Sequence, residues 1–129
     1  MVNYGFTKEL NIPYGTAVER VKDALKKEGF GVLTEIDVQE IMKEKLGLDM
    51  SKYIIIGACN PPSAYQAILV EGNIGLMLPC NVIVYVKGGK TVLSFIRPAV
   101  AMQMIDNAEL QKVAEEVEGK LKKAFDAVK

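Results

Sequence analysis

Apolar and polar positions change period several times along the chain, and each change marks a candidate element. Val2 to Leu10 alternate loosely, with Tyr4 and Phe6 on one side, which predicts a first strand before a turn at Pro13-Tyr14-Gly15. Thr16 and Glu19 have the T-x-x-E spacing in which two side chains satisfy free amides at a helix start. Ala17, Val18, Val21, Ala24 and Leu25 then recur at helical spacing. The first helix is therefore expected over Ala17–Glu28, with Gly29 as its stop. Phe30–Ile36 reads as a second strand. Asp37 and Glu40 repeat the cap spacing before Ile41, Met42 and Leu46, and Gly47 ends a second, shorter helix.

Tyr53-Ile54-Ile55-Ile56 is a continuous apolar run rich in β-branched residues. It is too short for a helix and typical of a strand covered on both faces, which makes it the expected centre of the sheet. Asn60-Pro61 then places a cap before a proline at the first helical position, where the missing amide costs nothing, and a third helix is expected to Val70. Asn81–Lys87 and Lys90–Arg97 form a hairpin across Gly88-Gly89, a pair that tolerates the positive φ angles of a tight turn, and Pro98 stops it. Asn107 caps a long helix on which Leu110, Val113, Ala114, Val117, Leu121, Ala124, Phe125 and Val128 form one stripe. One strand, helices between further strands, a hairpin and a closing helix favour an α+β fold whose sheet, of about five strands, is largely antiparallel.

Composition narrows the function classes. The chain has 129 residues, half of them apolar, with 16 basic and 16 acidic side chains. No repeat, linker or low-complexity run divides residues 1–129, so one domain is expected, burying roughly two thirds of its unfolded surface. There is no histidine, which excludes Ser-His-Asp and Cys-His catalysis and histidine metal sites. The first six residues carry neither a basic nor an apolar leader region, so a cytoplasmic location is expected. The most apolar window, Ile74–Val86, is broken by Gly75, Pro79 and Asn81 and falls short of the ~20 residues of a membrane helix. Of the 16 cations only Arg20 and Arg97 carry guanidinium groups, and the lysines are scattered among carboxylates, so neither nucleic acid nor membrane is an expected partner.

Three blocks resemble a known family: Gly29-Phe30-Gly31-Val32-Leu33-Thr34-Glu35-Ile36-Asp37, then Gly57-Ala58-Cys59-Asn60-Pro61, then Leu78-Pro79-Cys80-Asn81-Val82. In that order they resemble the domain-of-unknown-function family three hundred and two, and the resemblance covers nearly the whole chain. It implies a fold similar to the TATA-binding-protein class, a curved antiparallel sheet with helices packed on one side, and it implies no particular chemistry. Arg97-Pro98 departs from the acidic residue that the resemblance implies before that proline.

Candidate chemistry is sparse. Gly88-Gly89-Lys90-Thr91 echoes a phosphate-binding loop, but Val84 stands where the pattern needs glycine and a strand follows where it needs a helix. Gly29-Phe30-Gly31 lacks the third glycine of a dinucleotide fingerprint and precedes a strand. Cys59 and Cys80 are the two cysteines, in Cys59-Asn60-Pro61 and Pro79-Cys80-Asn81. At a strand end before a helix N-terminus, Cys59 can have a lowered thiol pKa. Neighbouring strands would bring both thiols to one end of the sheet. Equally, both are explained as small buried apolar residues. Two thiolates do not complete a zinc site, so no metal and no cofactor is expected.

Asn60 and Asn81 either fix a ligand or serve as cap and strand-start residues. Glu35 and Asp37 share a strand face, as an acid–base or cation pair or as solvent-facing and capping residues. Met102, Met104 and Ile105 are core residues, a pocket lid or a homodimer contact. The residues thus favour a small-molecule or partner-binding module with Cys59, Asn60, Cys80 and Asn81 as its candidate site. The alternative is a thiol-based redox or sulfur-handling protein using Cys59 and Cys80. A third option is an assembly role through a homodimer.

Overall fold

Antiparallel pairing organises the chain in the computed structural model, which describes Asn3–Lys129. The elements in order are β1 (Gly5–Leu10), α1 (Tyr14–Lys27), β2 (Gly31–Asp37), α2 (Val38–Leu46), β3 (Tyr53–Cys59) and α3 (Pro61–Val70). A 3-10 helix (Gly72–Met77), β4 (Cys80–Lys87), β5 (Lys90–Ile96), α4 (Pro98–Ala101) and α5 (Ala108–Ala127) follow. The five strands form one open sheet, β1-β5-β4-β3-β2, with every neighbouring pair antiparallel. Helices pack on one side of it. The α+β fold expected from the element order is therefore present.

The strand at the centre is β4, not the isoleucine run. That run, extended to Cys59, forms β3, whose Ile54, Ile56 and Ala58 are buried on the helix-covered face and whose Gly57 is buried from the other. Tyr53 and Ile55 point to the uncovered face, where they meet Tyr85 and Ile83 across the ladder. The two tyrosine rings stack with centroids 5.2 Å apart. The run reads as doubly buried because cross-strand neighbours, rather than a second layer, half-cover its outer residues.

On the covered face, Ile56, Val82, Val84, Leu93 and Phe95 pack with Val21 and Leu25 of α1 and Leu121 and Phe125 of α5. Alternation along each strand supplies this face, and the apolar stripes of both helices complete it. Lys8 closes the end of α5, donating to the Phe125 carbonyl at 2.6 Å with its ammonium 4.4 Å from the Phe125 ring centroid. Burial lowers its pKa.

Helix ends follow their caps with one exception. Asp37 accepts from the Glu40 amide, Asn60 from Ser63, and Asn107 from Glu109 and Leu110. The Thr16–Glu19 box does not form. Helix α1 begins earlier, at Tyr14, because extended Pro13 is its N-cap and accepts the Ala17 amide through its own carbonyl. Gly88 and Gly89 adopt φ of 57° and 76°, as the hairpin requires. The first strand begins at Gly5, and its expected start at Val2 lies outside the described residues.

A smaller core sits beyond the sheet. Ala67, Ile74, Met102, Leu110 and Ala114 join α3, the 3-10 helix, the end of α4 and the start of α5. Side-chain hydrogen bonds hold this lobe, among them Gln111 Nε2 of α5 donating to the Ala99 carbonyl at 2.9 Å. Asn107 Nδ2 donates to the Val70 carbonyl at 2.8 Å, linking the end of α3 to the start of α5. Glu118 of α5 accepts from Arg97 Nε and Nη2 at 3.3 and 3.2 Å and from the Ala99 amide at 3.1 Å. Arg97-Pro98, where the resemblance implied a carboxylate, thus starts α4 with a guanidinium clamped to α5.

Close approach, not backbone angle, demands glycine at position 57. A Cβ there would overlap the Thr34 hydroxyl and come within 2.7 Å of the Pro79 ring. Gly57→Ala is therefore expected to cost about 1–3 kcal/mol, the usual range for overpacking. Urea denaturation of the variant checks this, with Gly57→Ala/Thr34→Ala expected to recover part of the loss. Unchanged stability in Gly57→Ala would remove the argument.

Candidate functional site

The two cores meet at a cavity. Ala58 and Cys80, paired across β3 and β4, form its floor, and Ala67, Met102, Leu110 and Ala114 form its roof. Its free volume is about 30 Å³. That is room for a very small guest, since one water needs roughly 10–15 Å³ on this measure. A cleft of about 90 Å³ adjoins it and shares Pro79, Cys80, Pro98 and Met102. The lining of the inner cavity carries no charged side chain.

Three of the four candidate residues border this cavity: Cys59, Asn60 and Cys80. Asn81 does not. It follows Cys80 in β4, so its side chain alternates to the uncovered face; it is exposed and edges the outer cleft. Asn60 is buried and fully engaged. Its Oδ1 accepts from Ser63 N at 3.3 Å, and its Nδ2 donates to the carbonyls of Gly29 and Glu28 at 3.4 and 3.5 Å. One side chain thus caps α3 and ties it to the loop after α1. Its amide has no free hydrogen-bonding edge of consequence to offer a guest.

The cysteines lie on neighbouring strands, as expected, and both are free thiols. Cys80 stands opposite Ala58, so Cys59 is one residue beyond its partner. Alternation then directs the two side chains to different sides of the strand ends, which opposes a bond between them. The lowered pKa expected for Cys59 is not found. Burial pushes the Cys59 thiol up, and burial followed by the neighbouring Cys59 pushes Cys80 up to about 11. Desolvation disfavours the thiolate at both positions.

The remaining candidates resolve into structural roles. Asp37 caps α2, and Glu35 pairs with Lys22 at 2.7 Å, so the two carboxylates have separate partners. Met102 is buried in the roof, Ile105 packs against the smaller core, and Met104 is 79% exposed. Among the described residues no group of three Cys, Asp or Glu side chains is gathered for a metal. No described helix is long and apolar enough to cross a membrane. Sequence reasoning missed the cavity wall itself: Ala67, Leu110 and Ala114 carry only the helical period, and small size is their one signal.

An open five-stranded antiparallel sheet, helices on one side and an apolar cavity at its end define the class of this α+β protein. Comparison with curated proteins finds no match. The chain belongs to the family described as Domain of unknown function DUF302, whose model matches residues 6–128. It is similar to the crystal structure of an uncharacterized conserved protein DUF302 from Bacillus stearothermophilus, at 29% identity and a TM-score of 0.92. That likeness covers 99% of this chain and 100% of the other. The three sequence blocks identified the family correctly.

Thiolate is the nucleophile that an alkylating agent modifies, so raising the pKa lowers the reactive fraction. At pH 8 a thiol with a pKa of about 11 is ionised to about one part in a thousand. Iodoacetamide is accordingly expected to modify Cys80 far more slowly than a free thiol, and Cys59 faster than Cys80. Single Cys→Ser variants followed by mass spectrometry across pH 7–10 measure both rates; rapid modification of Cys80 at pH 7 would contradict its burial.

Proposed function

We propose that this protein is a binding module for a small neutral apolar molecule, taken at the cavity between the two cores. The observation that supports the reading most is the convergence of Ala58, Cys80, Ala67, Met102 and Ala114 on one uncharged space. An apolar lining with few polar groups suits a ligand held by shape and desolvation, and the high pKa keeps Cys80 a neutral, weakly donating thiol there.

Size limits the ligand. Typical pockets for drug-sized molecules hold roughly 300–1,000 Å³, an order of magnitude above the 30 Å³ found between the cores. A guest of more than a few heavy atoms requires the α3–α4 lobe to shift outward and join the cavity to the adjoining cleft. That lobe has the smaller core and is held by side-chain ties at Asn107 and Glu118. The thiol-based alternative draws less support, because both pKa shifts run against nucleophilic cysteines.

Thermal denaturation with benzene, indole or short-chain alcohols tests the reading. A ligand at a hundred times its Kd stabilises by about 2.7 kcal/mol. The melting temperature is expected to rise, with methyl NMR shifts centred on Ala67 and Met102. Ala67→Leu, which fills the space, should abolish both effects. Stabilisation that survives Ala67→Leu, or shifts confined to the uncovered sheet face, would refute the assignment.

A further inference from the structure

Sulfur is concentrated at one place in this fold. The chain has six methionines and two cysteines. Four of these eight side chains, Cys59, Met77, Cys80 and Met102, border the inner cavity or the cleft beside it. The cleft alone, of about 90 Å³, is lined by three of them: Met77, Cys80 and Met102. Each arrives on a different support. Met77 is the last residue of the 3-10 helix, and Cys80 starts β4 with its side chain toward the helices. Met102 follows α4, its amide donating to the Pro98 carbonyl at 2.9 Å. Cys80 and Met102 are buried and Met77 is half-buried. The rest of the wall is proline, isoleucine and the side chain of Asn81, with no charged group.

We infer that this cleft is a binding site for a soft monovalent metal ion, Cu(I), held by the Cys80 thiolate and the Met77 and Met102 thioethers. The donors select the ion: thiolate and thioether favour Cu(I), whereas carboxylate, carbonyl and water suit Mg, Ca and Mn. Charge selects it as well. One thiolate and two neutral thioethers cancel a single positive charge, so Cu(I) leaves a neutral centre among apolar walls. A divalent ion would leave a net positive charge there, with no carboxylate in the lining to pair it. Zinc further requires a full tetrahedron of thiolate, nitrogen or oxygen donors, which the cleft lacks. Cysteine and carboxylate alone gather no metal site among the described residues; thioethers complete this one. The rotatable bonds of methionine let both sulfurs close on the ion. Binding is a displacement in which the Cys80 S–H bond breaks, an S–Cu bond forms and the proton leaves to solvent. Copper keeps its oxidation state, so no electron moves.

The site shares Cys80 and Met102 with the apolar cavity but needs no guest there. Cu(I), supplied as its acetonitrile complex under argon and titrated into the full chain against bicinchoninate, measures the affinity. One ion per chain is expected to leave the chelator, with one proton released per ion at pH 7. In protein carrying 13C-labelled methionine methyls, the Met77 and Met102 signals should shift while those of Met42, Met50 and Met104 stay in place. Cys80→Ser is expected to abolish uptake. Met77→Leu and Met102→Leu preserve side-chain volume and hence the fold. Each should weaken binding by about tenfold or more, a loss that changes even outside the ligand shell produce. Cys59→Ser should leave uptake unchanged, and so should Ala67→Leu, which separates failure of the metal site from failure of the apolar cavity. Absence of uptake by the folded chain overturns the proposal, as does uptake that survives both methionine substitutions or is lost in Cys59→Ser. Equal affinity for Zn(II) would overturn the charge argument and with it the choice of ion.

Discussion

Coverage of the sheet on one face only is the constraint from which the other features follow. With helices on a single side, every strand must alternate, and the buried half of β3, β4 and β5 supplies the main core with α1 and α5. The uncovered half then has to limit its own exposure. It does so through lateral contacts: Tyr53 on Tyr85, Ile55 beside Ile83, and the Thr7 and Ser94 hydroxyls 2.7 Å apart. Gly57 permits Thr34 and Pro79 to close over the same face. Alternation also separates Cys80, which faces the helices, from Asn81, which does not.

The position of α3 extends this logic beyond the sheet. Helix α3 leaves β3 at Cys59 and runs past the sheet end, so its inner residues cannot reach the main core. They pack instead with Ile74, Met102 and the first turns of α5. Two cores of unequal size result, and a small cavity marks their junction. Imperfect filling there is a consequence of small residues, Ala58, Ala67 and Ala114, meeting from three directions. The same placement exposes the other side of α3. The cavity wall, with Ala67, and the exposed apolar residues Tyr65, Ile68 and Leu69 are therefore opposite sides of one helix.

Local order was readable in the sequence wherever a single side chain decides it. Asp37, Asn60 and Asn107 cap their helices, Gly88-Gly89 turns the hairpin, and α3 has the expected ends. Thr16–Glu19 failed as a cap because Pro13, three residues upstream, starts the helix first. The central strand was misplaced because hydrophobicity reports burial and not order within a sheet; β4 is central only through its pairing with both β3 and β5. In the site, the adjacency of the cysteines was legible from their strand ends, whereas their raised pKa values depend on burial supplied by α3 and α5. Glu118, which anchors Arg97 and Ala99, looks like one more solvent-facing carboxylate until the fold brings it to α4.

The most direct test of the two-core description with a ligand cavity at the junction is a crystal structure determined under xenon pressure. Xenon enters dry apolar cavities and reports their position without requiring a known ligand. The expected result is a xenon site bounded by Cys80, Ala67, Met102 and Ala114, absent in Ala67→Leu crystals. Xenon bound only on the uncovered sheet face or on α2, with the junction filled, would contradict it.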